Sequence, residues 1–394
     1  LQKEKHTVDA ALFAQMLHDK HFFDLEKLQY KYSADAVDEL LRLVGSTMTV
    51  ALPLADFNGQ PLCYLPNLAP LSGNGMKQML RTRPGNTSFG LEAMADEIEA
   101  SLSIESIRTS RHSIRRILAG YAPQNEAESR VFGMKRGLEF IAQKENRITE
   151  ENLHRLYQCS IGDFLPPEDR LASGQLYRHD AVYVVGGKVQ HQGLPAAQLP
   201  QAMAQLIAFA NADDTVDELH KASILHFYLA YLHPYFDGNG RAARLLHLWY
   251  LVQKGYSSAL FIPFSRYIEA SRRDYYRAYE RVEQNARISG RVDVTPYIAY
   301  FTAQVYDRLT PVGPPQASAE LYQQALTDGQ ITPKENELWA YVLSAYGNTP
   351  FSTKQLERDF GNAAYATIRA FVQKFARLGL LHAQSHGNRV RYWV

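Results

Sequence analysis

Two of the most apolar segments of the chain flank one polar loop. The second half of residues 217–232 carries Ile224, Leu225, Phe227, Tyr228, Leu229, Tyr231 and Leu232, and residues 241–254 carry Leu245, Leu246, Leu248, Trp249, Leu251 and Val252. Apolar positions on nearly every side of a helix mean a buried helix, so the pattern predicts a pair of core helices. Pro234 disfavours helical backbone in the residue before it, which ends the first helix at His233, and Gly255 closes the second. Over residues 90–105, Leu91, Met94, Ala95, Ile98 and Leu102 fall at helical spacing with Glu92, Asp96, Glu99 and Ser103 on the other face. Glu105 falls on the apolar stripe. A carboxylate there implies a Lys or Arg opposite it, or else a fraying helix end that lets it reach water. Residues 129–144 repeat Val131, Phe132, Met134, Leu138 and Ile141 as one packing helix, and Thr149 caps the next, with Glu150 and Glu151 in its first turn.

Elsewhere the period changes. Val182, Val184 and Val185 alternate with Tyr183 before Gly186-Gly187, which predicts a short hairpin or extended edge within residues 174–185. Residues 1–86 are mixed: a helix over 36–43, a strand or buried segment over 48–54, then Pro61, Pro66, Pro70, Gly73 and Gly75 as breakers. Their expected role is a helical cover or an oligomer contact, a homodimer included. Pro311, Gly313, Pro314 and Pro315 read as a linker. Beyond it, helices are predicted over 333–345, 353–360 and 363–378, with a two-stranded hairpin around Gly387-Asn388. The fold class is mainly α.

Composition narrows the function. At 394 residues the chain holds two or three domains. Lys and Arg number 42 against 41 Asp and Glu, so no polyanionic partner is implied globally. Locally, residues 361–394 contain Arg369, Lys374, Arg377, Arg389 and Arg391 and no acid, a face suited to duplex DNA or to a protein contact. Cys63 and Cys159 lack metal-ligand spacing and read as core thiols in a reducing compartment. No apolar run approaches a membrane span and no signal peptide opens the chain, so a cytoplasmic protein without a membrane partner is expected. The chain begins at Leu1, so its natural start is expected to lie upstream.

The polar loop carries the chemistry. Gly238-Asn239-Gly240 lets the backbone approach a ligand and turn successive N–H groups toward it at the positive end of the following helix, which makes an anion cradle. Arg241 and Arg244 stand three apart on the first turn and can both fork onto phosphate. Asp237 is the loop's only carboxylate, and Mg²⁺ bound to phosphate takes one or two such ligands from protein. His233 can accept a proton from an attacking hydroxyl. Taken singly, a His at a helix end is usually a cap, Gly-Asn-Gly a turn and paired Arg a solvated face; the combination in this order favours a polyphosphate site. The glycines follow a helix and not a strand, which excludes a dinucleotide-binding fold.

The stretch His233-Pro-Tyr-Phe-Asp-Gly-Asn-Gly-Arg-Ala-Ala-Arg244 resembles the Fic family signature H-P-F-x-D/E-G-N-G-R-x-x-R, with Tyr235 in place of the usual Phe. Tyr235 keeps an aromatic anchor and adds a hydroxyl in need of a partner. The resemblance implies transfer of AMP from Mg-ATP to a Ser, Thr or Tyr hydroxyl of a target protein. His233 would be the general base, Asp237 the Mg²⁺ ligand, Gly238, Asn239 and Gly240 the anion hole, and Arg241 and Arg244 the phosphate clamps. Ser101-x-x-x-Glu105-Ser106 is similar to the family's inhibitory motif S/T-x-x-x-E-G/N, with Ser106 replacing Gly or Asn. There Glu105 would pair with Arg244 and block the ATP γ-phosphate. Tyr183, Val184 and Val185 match the family's flap, whose edge holds the target by main-chain pairing. The C-terminal pattern resembles a winged helix-turn-helix. The organisation expected is an N-terminal helical region with the inhibitory helix over 1–112, a Fic-type helical core with a β-hairpin flap over 113–310, a linker over 311–330 and the winged module over 331–394. Alternatively, the core senses a nucleotide and the C-terminal module acts as a DNA-binding transcription regulator. Removal of AMP, or transfer of another phosphorylated group, also fits the loop.

Overall fold

The computed structural model describes residues 9–70, 77, 80–81, 91–186, 189–309, 316–346, 350–386 and 389–394. The breakers Gly73 and Gly75, the linker residues Pro311, Gly313, Pro314 and Pro315, and the turn at Gly387-Asn388 lie outside them.

Among the described residues, three apolar clusters organise the fold. The first is formed by helices α1 (Ala10–Leu17), α2 (Leu25–Tyr32) and α3 (Ala34–Thr47), which bury Met16, Leu28, Val37 and Leu40 together with Leu65. Strands β1 (Val50–Ala55) and β2 (Pro61–Tyr64) then pair antiparallel, Val50 opposite Tyr64. The alternation expected at 48–54 thus becomes the first strand of a hairpin.

The main cluster continues with α4 (Leu91–Ile104), α5 (Arg111–Leu118), α6 (Glu126–Ala142) and α7 (Glu150–Ser160), then the hairpin β3 (Tyr183–Gly186) and β4 (Val189–Gln192). It is completed by α8 (Leu199–Asn211), α9 (Glu218–Leu232), α10 (Asn239–Gln253), α11 (Phe264–Ala270), α12 (Arg272–Ser289) and α13 (Thr295–Gln304). α9 and α10 pack on each other at its centre. Asp217 caps α9, accepting from the Leu219 and His220 amides at 3.0 and 3.4 Å, and the helix ends at His233 in a left-handed conformation, φ 55° and ψ 59°. α10 begins after Gly238 at φ 80°, two residues earlier than its apolar pattern suggested, because Asn239 and Gly240 are already helical.

α4 belongs to this main cluster through Met94, Ile98, Leu102 and Ile104, and not to the N-terminal helices. Glu97, which the amphipathic pattern left unassigned, is buried and accepts from the Ser265 amide at 2.8 Å and from the Ser265 hydroxyl. It satisfies the first turn of α11, whose own N-cap makes no side-chain bond. Burial pushes the Glu97 carboxyl's pKa up, partly offset by Ser265. On the outer face of α4, Arg111 meets Glu92, Asp96 and Glu99 at 2.7, 2.6 and 2.9 Å.

The last cluster comprises α14 (Gln316–Thr327), α15 (Pro333–Ala345), α16 (Thr353–Phe360), α17 (Tyr365–Arg377) and the antiparallel pair β5 (His382–His386) and β6 (Arg389–Trp393). Leu338, Trp339, Ile368, Phe371 and Phe375 are its interior, and Phe351 bridges to Tyr392. α14 is a helix inside the stretch expected as a linker, and its Ala325 joins this interior. α15 packs against α4.

Tyr235 is fully buried and stacks on Tyr157, centroids 3.6 Å apart and planes 9° from parallel. Among the described residues, the hydroxyl that distinguishes it from Phe has no hydrogen-bond partner. A buried unpaired hydroxyl costs about 1–3 kcal/mol, and its removal with the ring retained relieves that cost. Tyr235→Phe is therefore expected to leave urea stability unchanged or raise it by about 1 kcal/mol. A loss of that size instead would mean that the hydroxyl is bonded in solution.

Candidate active site

His233 to Gly238 join α9 to α10, and the loop is braced from within. The Asn239 side chain accepts from the Tyr235 amide at 2.9 Å and donates to the Tyr235 carbonyl at 2.8 Å. Its side chain is a staple for the loop, so only its main-chain N–H faces outward with those of Gly240 and Arg241, the free donors of a helix first turn. Tyr157 donates to the Asp237 carbonyl at 3.1 Å. The two glycines are needed for different reasons. Gly238 is left-handed, and a Cβ on it would lie 2.4 Å from Ile161. Gly240 is helical, and its Cβ would lie 2.3 Å from Glu105 Oε1, so its bareness makes room for an anionic group at the head of α10.

The His233 imidazole places Nδ1 3.2 Å from the Ala230 carbonyl. A carbonyl only accepts, so Nδ1 carries the proton in this bond and Nε2 is the nitrogen able to take another. Asp237 is half exposed, and its carboxylate accepts from the Gly238 amide and, at 3.1 Å, from Arg241.

Arg241 and Arg244 are each only 2% exposed, yet they do not act as a parallel pair. Arg241 turns back to Asp237. Arg244 turns to α4, donating Nε to Ser101 Oγ at 2.9 Å and Nη2 to the Ser101 carbonyl at 2.9 Å and Glu105 Oε1 at 2.8 Å. The cation expected opposite Glu105 is therefore Arg244, with Glu105 just past the helix end and about a third exposed. Burial lowers the pKa of both guanidinium groups; for Arg244 the charge and hydrogen bond of Glu105, together with Tyr275 and Glu97, outweigh it and the net direction is up, while Arg241 stays lowered. Among the described residues, Arg241 Nε and Arg244 Nη1 are buried without a hydrogen-bond partner, as is Nε of Arg130 on α6. Unspent buried donors beside a helix N-terminus suit an anion with several oxygens.

The remaining expected residues lie on the β3–β4 hairpin. Tyr183 pairs with Gln192, Val184 with His191 and Val185 with Gln190, and Tyr183 is exposed. The hairpin's base is tied to the end of α9, the Leu194 amide donating to the Leu232 carbonyl at 3.0 Å. Arg178 was legible only as part of the flap's text, yet it is buried there against the His233 carbonyl, and no periodic pattern signals such a residue. Among the described residues no group of three or more His, Cys, Asp or Glu is placed to hold a metal; a phosphate-bound Mg²⁺ needs only the one carboxylate that Asp237 offers. No described helix is long and apolar enough to cross a membrane.

Comparison with known proteins places this loop. Residues 147–251 match the model of the Fic/DOC family. A protein adenylyltransferase Fic of Culex quinquefasciatus is 24% identical over 219 residues, 53% of this chain and 39% of that protein. A probable protein adenylyltransferase of Aquifex aeolicus is 25% identical over 224 residues, 54% of this chain and 66% of that one. The chain thus spans less than two thirds of either relative. Among solved structures, a Fic family protein from Desulfovibrio desulfuricans G20 is 18% identical, with 82% of this chain and 88% of that chain covered and a TM-score of 0.47. Residues 147–251, which include the loop between α9 and α10, are thus the part of this chain that is similar to the Fic/DOC family.

Proposed function

We propose that this protein transfers AMP from Mg-ATP to a Ser, Thr or Tyr hydroxyl of a target protein, and that Glu105 holds the transfer in check. The observation that carries the proposal is the convergence, on one helix N-terminus, of an imidazole with its Nδ1 committed to a carbonyl and two buried arginines with unspent donors. A nucleotide sensor has no use for such an imidazole; an acceptor of a hydroxyl proton does.

In this mechanism the first-turn N–H groups of α10 and Arg241 bind the phosphates, and the open edge of β3 holds the target main chain. The target oxygen attacks the α-phosphorus, His233 Nε2 takes the hydroxyl proton, and the bond from that phosphorus to the bridging oxygen breaks as pyrophosphate leaves. Bound Mg²⁺ would offset the negative charge of the leaving pyrophosphate, and Asp237 is the residue that would hold it. Arg244 has two claimants, Glu105 and the γ-phosphate. While Glu105 holds it, the triphosphate sits without that clamp, and misplacement of a reacting group by about 1 Å costs on the order of a hundredfold in rate.

The C-terminal cluster supports a second, separate role, duplex binding in the manner of a winged helix. Of its acid-free basic set, Arg369 and Arg377 are exposed on α17. Lys374 is tied to Glu335 at 2.7 Å and Arg391 reaches Gln355 at 3.4 Å. The face is therefore less basic than its sequence, and binding is expected to be weak.

Two experiments test these roles. With labelled ATP and mass spectrometry for added AMP, Glu105→Gly is expected to raise transfer, self-modification included, by about tenfold or more. In that background His233→Ala should abolish transfer with ATP affinity within about twofold, and Arg244→Ala should remove the gain. A Glu105→Gly protein no faster than wild type would sink the inhibitory role, and unchanged transfer in His233→Ala would sink the base. For the duplex, Arg369→Ala with Arg377→Ala in the full chain should weaken binding and lower the slope of log affinity against log salt by about 1.8. No binding at low salt by the unaltered chain would leave the C-terminal cluster a protein contact.

A further inference from the structure

Arg178 is 2% exposed, and among the described residues no carboxylate meets it. Burial alone lowers its pKa. A buried cation without a counter-charge is costly and is kept only where other groups satisfy it. Here every partner is a main-chain carbonyl. Nε donates to His233 O at 2.7 Å, Nη1 to Asp180 O at 2.5 Å, and Nη2 to Leu194 O and, at a long 3.5 Å, to Leu232 O. The carbonyls of Leu232 and His233 end α9, where helix geometry leaves acceptors unpaired and the dipole favours a cation. Asp180 and Leu194 are the chain entering and leaving the β3–β4 hairpin. The Arg178 amide adds a bond to Pro234 O at 3.0 Å.

One side chain thus fastens the hairpin's two ends to the residue that carries the imidazole. His233 is held there in left-handed backbone, a conformation that costs a non-glycine residue energy and persists only when its surroundings fix it. Gly193 completes the joint: a Cβ on it would lie 2.6 Å from Arg178 Nη2, 2.9 Å from Val182 Cγ2 and 3.1 Å from His233 Cβ. Room for the guanidinium comes from that missing side chain.

We propose that Arg178 is a positioning residue that locks His233 and the β3–β4 hairpin into one unit, so that the proton acceptor and the strand holding the target keep a fixed separation. The proposal rests on the adenylylation reading for its kinetic consequence and on geometry alone for the lock. Lysine in its place keeps the charge but loses the planar fork that reaches three segments at once. Nucleotide contacts lie on α10 and are untouched.

The test uses the full chain in the Glu105→Gly background, with Arg178→Lys and, as an independent route to the same joint, Gly193→Ala. Both should remain folded and bind ATP within about twofold of the parent, while kcat for transfer falls on the order of a hundredfold and the KM for the target rises. Hydrogen exchange should speed up in residues 179–194 and 232–235 and nowhere else. Transfer within twofold of the parent in a folded variant overturns the proposal, as does a loss matched by an equal loss of ATP affinity, which would mark Arg178 as general scaffold. If the parent transfers no AMP, the adenylylation reading fails by itself and exchange decides: faster exchange confined to those two segments upholds the lock, and unchanged exchange there overturns it.

Discussion

In the proposed mechanism one buried guanidinium decides what the site can do. Arg244 lies at the head of α10 with its charge spent on α4, through Ser101 and Glu105, and with one donor left over. A charge buried this deeply has to be matched in every state of the protein, because leaving it unpaired costs several kcal/mol. α4 supplies the match when no polyphosphate is present. The contact that restrains the chemistry is in this account also the contact that makes the empty site stable, and the two cannot be separated by evolution or by mutation without cost.

The way α4 is anchored says which part of it can yield. Its middle is fixed: Glu97 caps α11 from outside, Arg111 spans three carboxylates, and α15 of the C-terminal cluster packs against it. Apart from the Arg244 contacts, its end is held by fewer and longer bonds. Arg272 reaches the Ser103 carbonyl at 3.3 Å and Ser106 Oγ at 3.0 Å, and Tyr276 reaches the Ile104 carbonyl at 3.3 Å. Ser106 sits at φ 62°, a conformation more natural to the Gly or Asn that the family motif favours there. Displacement of Glu105 therefore needs only the last turn and the residue after it, not the whole helix.

What the sequence made legible follows from the kind of force involved. Buried helices announce themselves through apolar periodicity, so α9 and α10 and the loop between them were readable, down to the stop at His233. The demand of a stripe carboxylate for a cation was readable too. Contacts that depend on tertiary approach were not. Gly240 looked like a flexible turn residue and is a helical residue kept bare for Glu105. Asn239 looked like part of an anion cradle, and its side chain staples Tyr235. Glu97 and Arg178 are charged residues whose burial no period reveals, since their partners are a distant helix N-terminus and a set of carbonyls. The basic tail lost Lys374 to Glu335, a residue far outside the acid-free run.

Competition for Arg244 makes a demand on binding itself, apart from any transfer. In the proposed mechanism ADP, which lacks the γ-phosphate, would gain nothing from that guanidinium, whereas ATP would once Glu105 lets go. The direct measurement is calorimetric titration of ATP and ADP, with Mg²⁺, against wild type, Glu105→Gly, and Glu105→Gly with Arg244→Ala. A charge-assisted hydrogen bond is worth about 1.5–3 kcal/mol, so the preference for ATP over ADP should rise by roughly tenfold to a hundredfold in Glu105→Gly and fall back when Arg244 is removed. An ATP-to-ADP preference identical in wild type and Glu105→Gly would contradict the account.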